Sequence, residues 1–247
     1  MSLLNKLGIG IGAIREISRI LPANGTSRLV KVPMAGAAAS RTPERHESTR
    51  VSNGLKEFLW NLDGLGRGTL LDLGPAWQTT LNFFIERGFR VSSEDILRGW
   101  KGFLDEEEAR LRADGALRES LDATPSGRAS RFLEGNLKYP PASFDAILLW
   151  DVVDYLEPAL AKQTLSCVTD LLRAGGVLFA MFHSKKPEGF QRYRVFDSNT
   201  LQVIPTPAIT PAQKVYQNRE IQDLFSRYRT MKSFVGRDQL RETLFIK

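Results

Sequence analysis

Cysteine is almost absent from this chain of 247 residues: Cys167 stands alone, so no disulfide can form within it. Its neighbours Leu165, Val168, Leu171 and Leu172 place it in a helical apolar pattern, where a thiol is core packing rather than chemistry. Histidine is nearly as scarce. His46 and His183 are the two present, and one thiol and two distant imidazoles do not make a metal cluster. No apolar run approaches the roughly 20 residues that span a membrane. The apolar stretch from Leu7 to Ile14 ends in Arg15 and Glu16, with no small-residue cleavage site close behind. Neither a signal peptide nor a membrane span is expected, and a cytoplasmic location fits.

The remaining composition is that of an ordinary soluble domain, 42% apolar and 25% charged. A chain of this length can bury a sizeable core unaided. The net charge of +6 is unevenly spread: residues 1–50 carry +5, residues 51–181 carry −5 and residues 182–247 carry +6. Basic ends around an acidic middle could steer an anionic partner. Aromatic and basic residues interleave in "GFQRYRVF", but no specific nucleic-acid signal emerges.

Along the chain, residues 1–50 read as a helical and loop extension. Leu4, Leu7, Ile11, Ile14 and Leu21 recur at helical spacing, and a small, polar segment follows. "LKEFLWNL" reads as a short amphipathic helix stopped near Gly64 and Gly66. From Thr69 the rhythm alternates. "TLLDLG" is a strand, "TTLNFFIERG" a helix with Leu81, Phe84 and Ile85 on one side, and "FRVSSED" a strand. A charged helix and the loop "ATPSGRAS" come next. "RFLEGN" reads as a third strand, "SFDAILLWD" as a fourth, "LAKQTLSCVTDLLRAGG" as a helix closed by glycines and "VLFAMFH" as a fifth strand. Such alternation implies an α/β domain, residues 51–247, with a doubly wound, mostly parallel sheet buried on both faces. "YRVFDSNTLQVI" reads as a hairpin, "REIQDLFSRY" as a helix, and "MKSFVG" and "ETLFIK" as a closing antiparallel pair.

Ligands of doubly wound sheets sit beyond the carboxyl ends of the strands. Here those ends are Gly74, Glu94 and Asp95, Asn136, Trp150 and Asp151, and His183. The ordered set resembles the class I S-adenosylmethionine-dependent methyltransferases from about Thr69 to Lys247. Their first turn is acid-x-Gly-x-Gly-x-Gly; "DLGPAWQ" falls on it as Asp72, Gly74, Ala76 and Gln78, so two glycines are replaced. "FLEGNLKYPPASFDAILLWDVVDYLEP", "LLRAGGVLFAMF" and the C-terminal stretch resemble the family's later segments.

The resemblance implies an S-adenosylmethionine site at Asp72, Gly74, Pro75, Ala76, Gln78, Glu94, Asp95, Asn136, Leu137 and Trp150. Asp95, with Glu94 beside it, falls where the family's acid holds the ribose hydroxyls; a carboxylate can accept from both. The same pair also reads as a helix N-cap. Ala76 adds only one methyl to the turn, Gln78 brings an amide, Pro75 removes a donor, and Trp77 could lid the pocket or pack beneath the loop. Candidates for proton transfer are Asp151, Tyr155 and His183, with Asp154 nearby. Asp151 can equally cap the following helix, and Tyr155 can simply pack against it.

No Asn/Asp-Pro-Pro-aromatic sequence follows the fourth strand, and the sole cysteine is mid-helix. Both observations speak against methylation of DNA bases, and leave a small-molecule or protein acceptor. The hairpin and loop at 186–217 are the expected substrate cover, where Arg192 and Arg194 could read an anionic acceptor. Against this stands a non-catalytic binding or assembly protein that kept the fold, which the replaced glycines favour. A nicotinamide oxidoreductase would need Gly-x-Gly-x-x-Gly, which residues 74–79 do not supply.

Overall fold

The computed structural model describes residues 47–114, 124–236 and 238–247. The helix expected near residues 4–21 and most of the extension lie outside these. The end of that extension belongs to the domain itself: β1 (Ser48–Val51) opens the described chain as a strand.

Helix α1 (Asn53–Leu62) starts where the Ser52 hydroxyl accepts the Leu55 N–H, and it buries Leu55, Phe58 and Leu62. β2 (Gly68–Asp72), α2 (Gln78–Ile85) and β3 (Phe89–Ser93) follow. In α2 the inward side carries Thr80, Phe83 and Phe84, while Ile85 faces solvent. The expected Leu81–Phe84–Ile85 stripe is thus turned by part of a helical turn, with Phe84 packed against Phe58 and Phe89. α3 (Ile96–Asp114) is the charged helix and starts directly after Asp95.

The third strand expected at "RFLEGN" is instead the end of helix α4 (Pro125–Asn136). The segment assigned to a loop holds its start. Thr124 caps Gly127 N–H and Pro125 occupies the first turn, where its missing donor costs nothing. Ala129, Phe132 and Leu133 then enter the core at helical spacing.

β4 (Phe144–Trp150), the short α5 (Val152–Tyr155), α6 (Pro158–Leu171) and β5 (Leu172–His183) complete the centre. α6 ends before the glycine pair, which lies in the first part of β5. The hairpin forms as expected from β6 (Gln191–Val195) and β7 (Thr200–Pro205), and α7 (Asn218–Leu224) precedes the antiparallel pair β8 (Thr230–Val235) and β9 (Leu240–Ile246).

The main sheet runs β3-β2-β4-β5-β9-β8, parallel from β3 to β5 and antiparallel across β9 and β8. Each central strand feeds both faces. In β4, Phe144, Ile147 and Leu149 join one core with α3, α4, α6 and α7, while Ala146, Leu148 and Trp150 join the other. That second core holds α1, α2 and the hairpin, so the expected cover is a fixed layer of the fold. Its strands form a second sheet, β1-β7-β6.

Arg50 on β1 ties the layers together. Its guanidinium meets the Glu242 carboxylate of β9 at 2.7 Å and Asp238 at 2.8 Å, and Glu242 also accepts the Gly54 N–H at 2.6 Å. Glu242 is 2% exposed, so removing it leaves the guanidinium to Asp238 alone and a helix N–H unpaired. Glu242→Ala should therefore cost about 1–3 kcal/mol in urea denaturation.

Candidate active site

Polar side chains gather at the carboxyl ends of β2, β3, β4 and β5. The first turn is shaped by Asp72. Its Oδ1 accepts the Gly74 N–H at 2.9 Å and the Trp150 indole N–H at 2.6 Å, while Oδ2 is buried with no partner. Burial pushes this carboxyl up to about 6 against those hydrogen bonds, with the charge of Asp95 adding to the rise.

Trp150 ends β4 with φ +54°, a left-handed conformation that costs a bulky residue of order 1–3 kcal/mol. The indole so placed is 3% exposed and stacks on Tyr193 at a centroid distance of 6.3 Å. It also fills the space over Gly74: a Cβ there would lie 2.7 Å from the Trp150 ring. In a glycine turn that space admits a ligand; here a side chain of the protein occupies it.

The other expected cofactor residues divide. Pro75 and Asp95 line a cleft of about 530 Å³ with Trp77, Arg98, Lys101, Arg192 and the loop after β7, a volume within the range of small-molecule sites. Ala76 and Gln78 are exposed, and the Gln78 amide donates to Asn82 at 2.6 Å rather than reaching inward. Glu94 accepts the Tyr139 hydroxyl at 2.7 Å. Asn136 ends α4, its amide bonded to the Phe132 carbonyl, and Leu137 is buried in the core. Trp77 lies under the Arg194 guanidinium, 5.7 Å from its ring centre.

The helix-cap reading of Asp95 holds in the geometry. Its carboxylate caps α3 by accepting the Arg98 N–H at 3.2 Å, and it faces the cleft. There the Arg192 guanidinium already holds it, at 2.8 and 3.1 Å from its two oxygens.

At the ends of β4 and β5, outside the lining of this cleft, lies a buried acid–base group. His183 Nε2 is 3.1 Å from Asp151 Oδ2, and the His183 backbone N–H donates to Asp154 Oδ2 at 2.7 Å. Asp151 therefore orients the imidazole instead of capping α5 with its side chain. Tyr155 packs edge-on against both His183 and Phe190, which does not satisfy its hydroxyl. The hydroxyls of Tyr155 and Tyr193 and Oδ1 of Asp154 are buried without a hydrogen-bond partner. Such orphans are rare in folded proteins and mark places where a ligand or water completes the structure.

Two of these residues, Tyr193 and Trp150, could be seen as partners only in the fold. Tyr193 was hidden in the sequence because a hairpin tyrosine carries no signal of what it packs against.

Burial pulls the His183 imidazole down, but the hydrogen bond and charge of Asp151, then Asp154 and Asp238, outweigh it and raise it. Burial pushes Asp154 up to about 8, opposed by the His183 N–H and imidazole. Burial raises both tyrosines further from ionisation. Among the described residues no group of three or more His, Cys, Asp or Glu is placed to hold a metal ion, and no helix is long and apolar enough to cross a membrane.

The strand order is that of a mostly parallel α/β sheet closed by the antiparallel pair β9 and β8, with a helix where the third strand is expected. No family model and no curated protein sequence matches the chain. Solved structures that it is similar to include the 1,6-didemethyltoxoflavin-N1-methyltransferase of Burkholderia thailandensis with bound S-adenosylhomocysteine, at 17% identity over 79% of each chain and a TM-score of 0.40. A SAM-dependent methyltransferase from Methanosarcina mazei is 15% identical over 74% of this chain and 93% of its own, TM-score 0.40. One from Mesorhizobium loti is 13% identical over 77% and 96%, TM-score 0.42.

Asp72 and Asp154 favour the neutral form in the folded state, so their stabilising contribution is full below about pH 4 and lost as pH rises through about 6 and 8 respectively. The raised His183 acts in the same direction, its contribution fading above its ordinary 6.5. Unfolding free energy should thus fall from pH 5 to pH 8, by at most about 1.4 kcal/mol per pH unit for each such group. Asp154→Asn should flatten that decline, as read by urea denaturation across the range.

Proposed function

We propose that this protein is an S-adenosylmethionine-dependent methyltransferase acting on a small-molecule or protein acceptor. The observation that carries the reading is the pairing of a ligand-sized cleft at Asp95 with a buried His183–Asp151–Asp154 group whose polar atoms are not all satisfied. Packing alone does not call for three titratable groups under the end of a sheet.

The residues fit the cofactor in part. Asp95 borders the cleft and can take ribose hydroxyls, whereas the unpartnered Oδ2 of Asp72 is buried outside the cleft's lining. The space over Gly74 belongs to Trp150, so the ligand lies on the Pro75–Asp95 side of the turn. Bound there, S-adenosylmethionine supplies a methyl group activated on a sulfonium. The chain's own work is to align the acceptor, to exclude water through the hairpin layer, and to take the acceptor's proton. His183 is the proposed proton acceptor through Nδ1, its Nε2–H held by the Asp151 carboxylate that fixes the ring, and Tyr155 positions the acceptor through its free hydroxyl.

A second reading has its own support: Trp150 over Gly74 and Arg192 on Asp95 fill both expected cofactor anchors, as in a fold kept for binding or assembly. Calorimetric titration with S-adenosylhomocysteine separates the two. Methyl transfer expects micromolar affinity, weakened about tenfold (about 1.4 kcal/mol) in Asp95→Asn. Absence of binding at millimolar ligand leaves the binding-protein reading.

A further inference from the structure

The Arg192–Asp95 pair raises a problem of capacity. A carboxylate offers about four acceptor positions. Asp95 already uses three, one for the Arg98 N–H and two for the Arg192 guanidinium. Two ribose hydroxyls exceed what is left by one, so a nucleoside seated on Asp95 must at least break the two-oxygen hold of Arg192 and weaken its pairing. This step rests on the reading of Asp95 as the ribose acceptor.

The loosened guanidinium has little freedom. Its side chain is 6% exposed and its strand is fixed in register, with Arg192 opposite Ile204. Phe190 lies 5.1 Å from the guanidinium carbon and offsets only part of a weakened carboxylate pairing. A nearly buried cation whose pairing is weakened is costly. The cleft that reaches Asp95 also reaches Arg192, so a second ligand in it can restore the pairing.

We propose that Arg192 is the anion receptor for the acceptor. It rests on Asp95 until the nucleoside competes for that carboxylate, and then binds a carboxylate or phosphate of the acceptor. Nucleoside and anionic acceptor thereby strengthen each other's binding, and by linkage the effect is equal in both directions.

The test uses S-adenosylhomocysteine as the nucleoside and benzoate as a simple anionic probe, titrated in sodium benzoate and in sodium chloride at equal ionic strength. Wild-type protein should bind the nucleoside about fivefold or more tightly in benzoate. In Arg192→Gln the difference between the salts should vanish, and affinity in chloride should match or exceed that of wild type. A wild type indifferent to benzoate, an enhancement that survives in the variant, or a variant weaker in chloride overturns the proposal while the methyltransferase reading stands. Failure of both proteins to bind the nucleoside in either salt defeats that reading itself. Thermal unfolding checks that Arg192→Gln is folded; should it not be, Asp95→Asn/Arg192→Gln, with no charge left unpaired, carries the same comparison between salts.

Discussion

The bond from the Trp150 indole to Asp72 is the constraint around which the site is built. To make it, β4 ends in a left-handed residue and its register with β5 shifts between Leu148 and Trp150. The ring then covers Gly74, stacks on Tyr193 of the hairpin and meets Phe179 of β5 edge-on at 6.0 Å. One side chain thus joins the first turn, the central strands and the second sheet. The backbone strain is offset by a short hydrogen bond to a buried carboxyl and by aromatic packing worth about 0.5–1.5 kcal/mol per pair beyond its burial.

Arg192 repeats this logic from the other side. It reaches from β6 to the end of β3, and the Val195 N–H donates to the Thr80 hydroxyl at 2.9 Å nearby. The hairpin is therefore held by charge, hydrogen bonding and stacking at once. A layer fastened in this way is not free to swing away as a body. The acid–base group beneath it is correspondingly dry, which is why Asp154 can hold its proton near neutrality.

Much of the architecture was legible because strands buried on both faces announce themselves. "SFDAILLWD" and "VLFAMFH" leave little choice, and the antiparallel ending follows from the turn between "MKSFVG" and "ETLFIK". "RFLEGN" misled because six residues with two apolar neighbours fit either period; the cap at Thr124 and Pro125 lay upstream, inside a segment rich in loop-forming residues. The site was half legible. Acids and the histidine at strand ends follow from topology, and the structure brings His183, Asp151 and Tyr155 together. What each acid bonds to does not follow, because Arg192 reaches Asp95 from 97 residues away and from another sheet. The two missing glycines of the turn draw attention to Ala76 and Gln78, yet both face solvent. The residue that shapes the turn is at the end of β4, where Trp150 packs over Gly74.

The helix at 125–136 has one more consequence. With no strand beyond it, β3 is an outer strand of the main sheet among the described residues, as β8 is at the far side. Exposed strand edges invite pairing with other chains. β3 is only five residues long and turns Arg90 outward, while β8 carries Lys232, which is paired with Glu57 at 2.8 Å. A short edge and a cation on each flank are the devices by which β proteins resist self-association. The loss of a strand has thus been matched by edges that discourage a foreign one from replacing it.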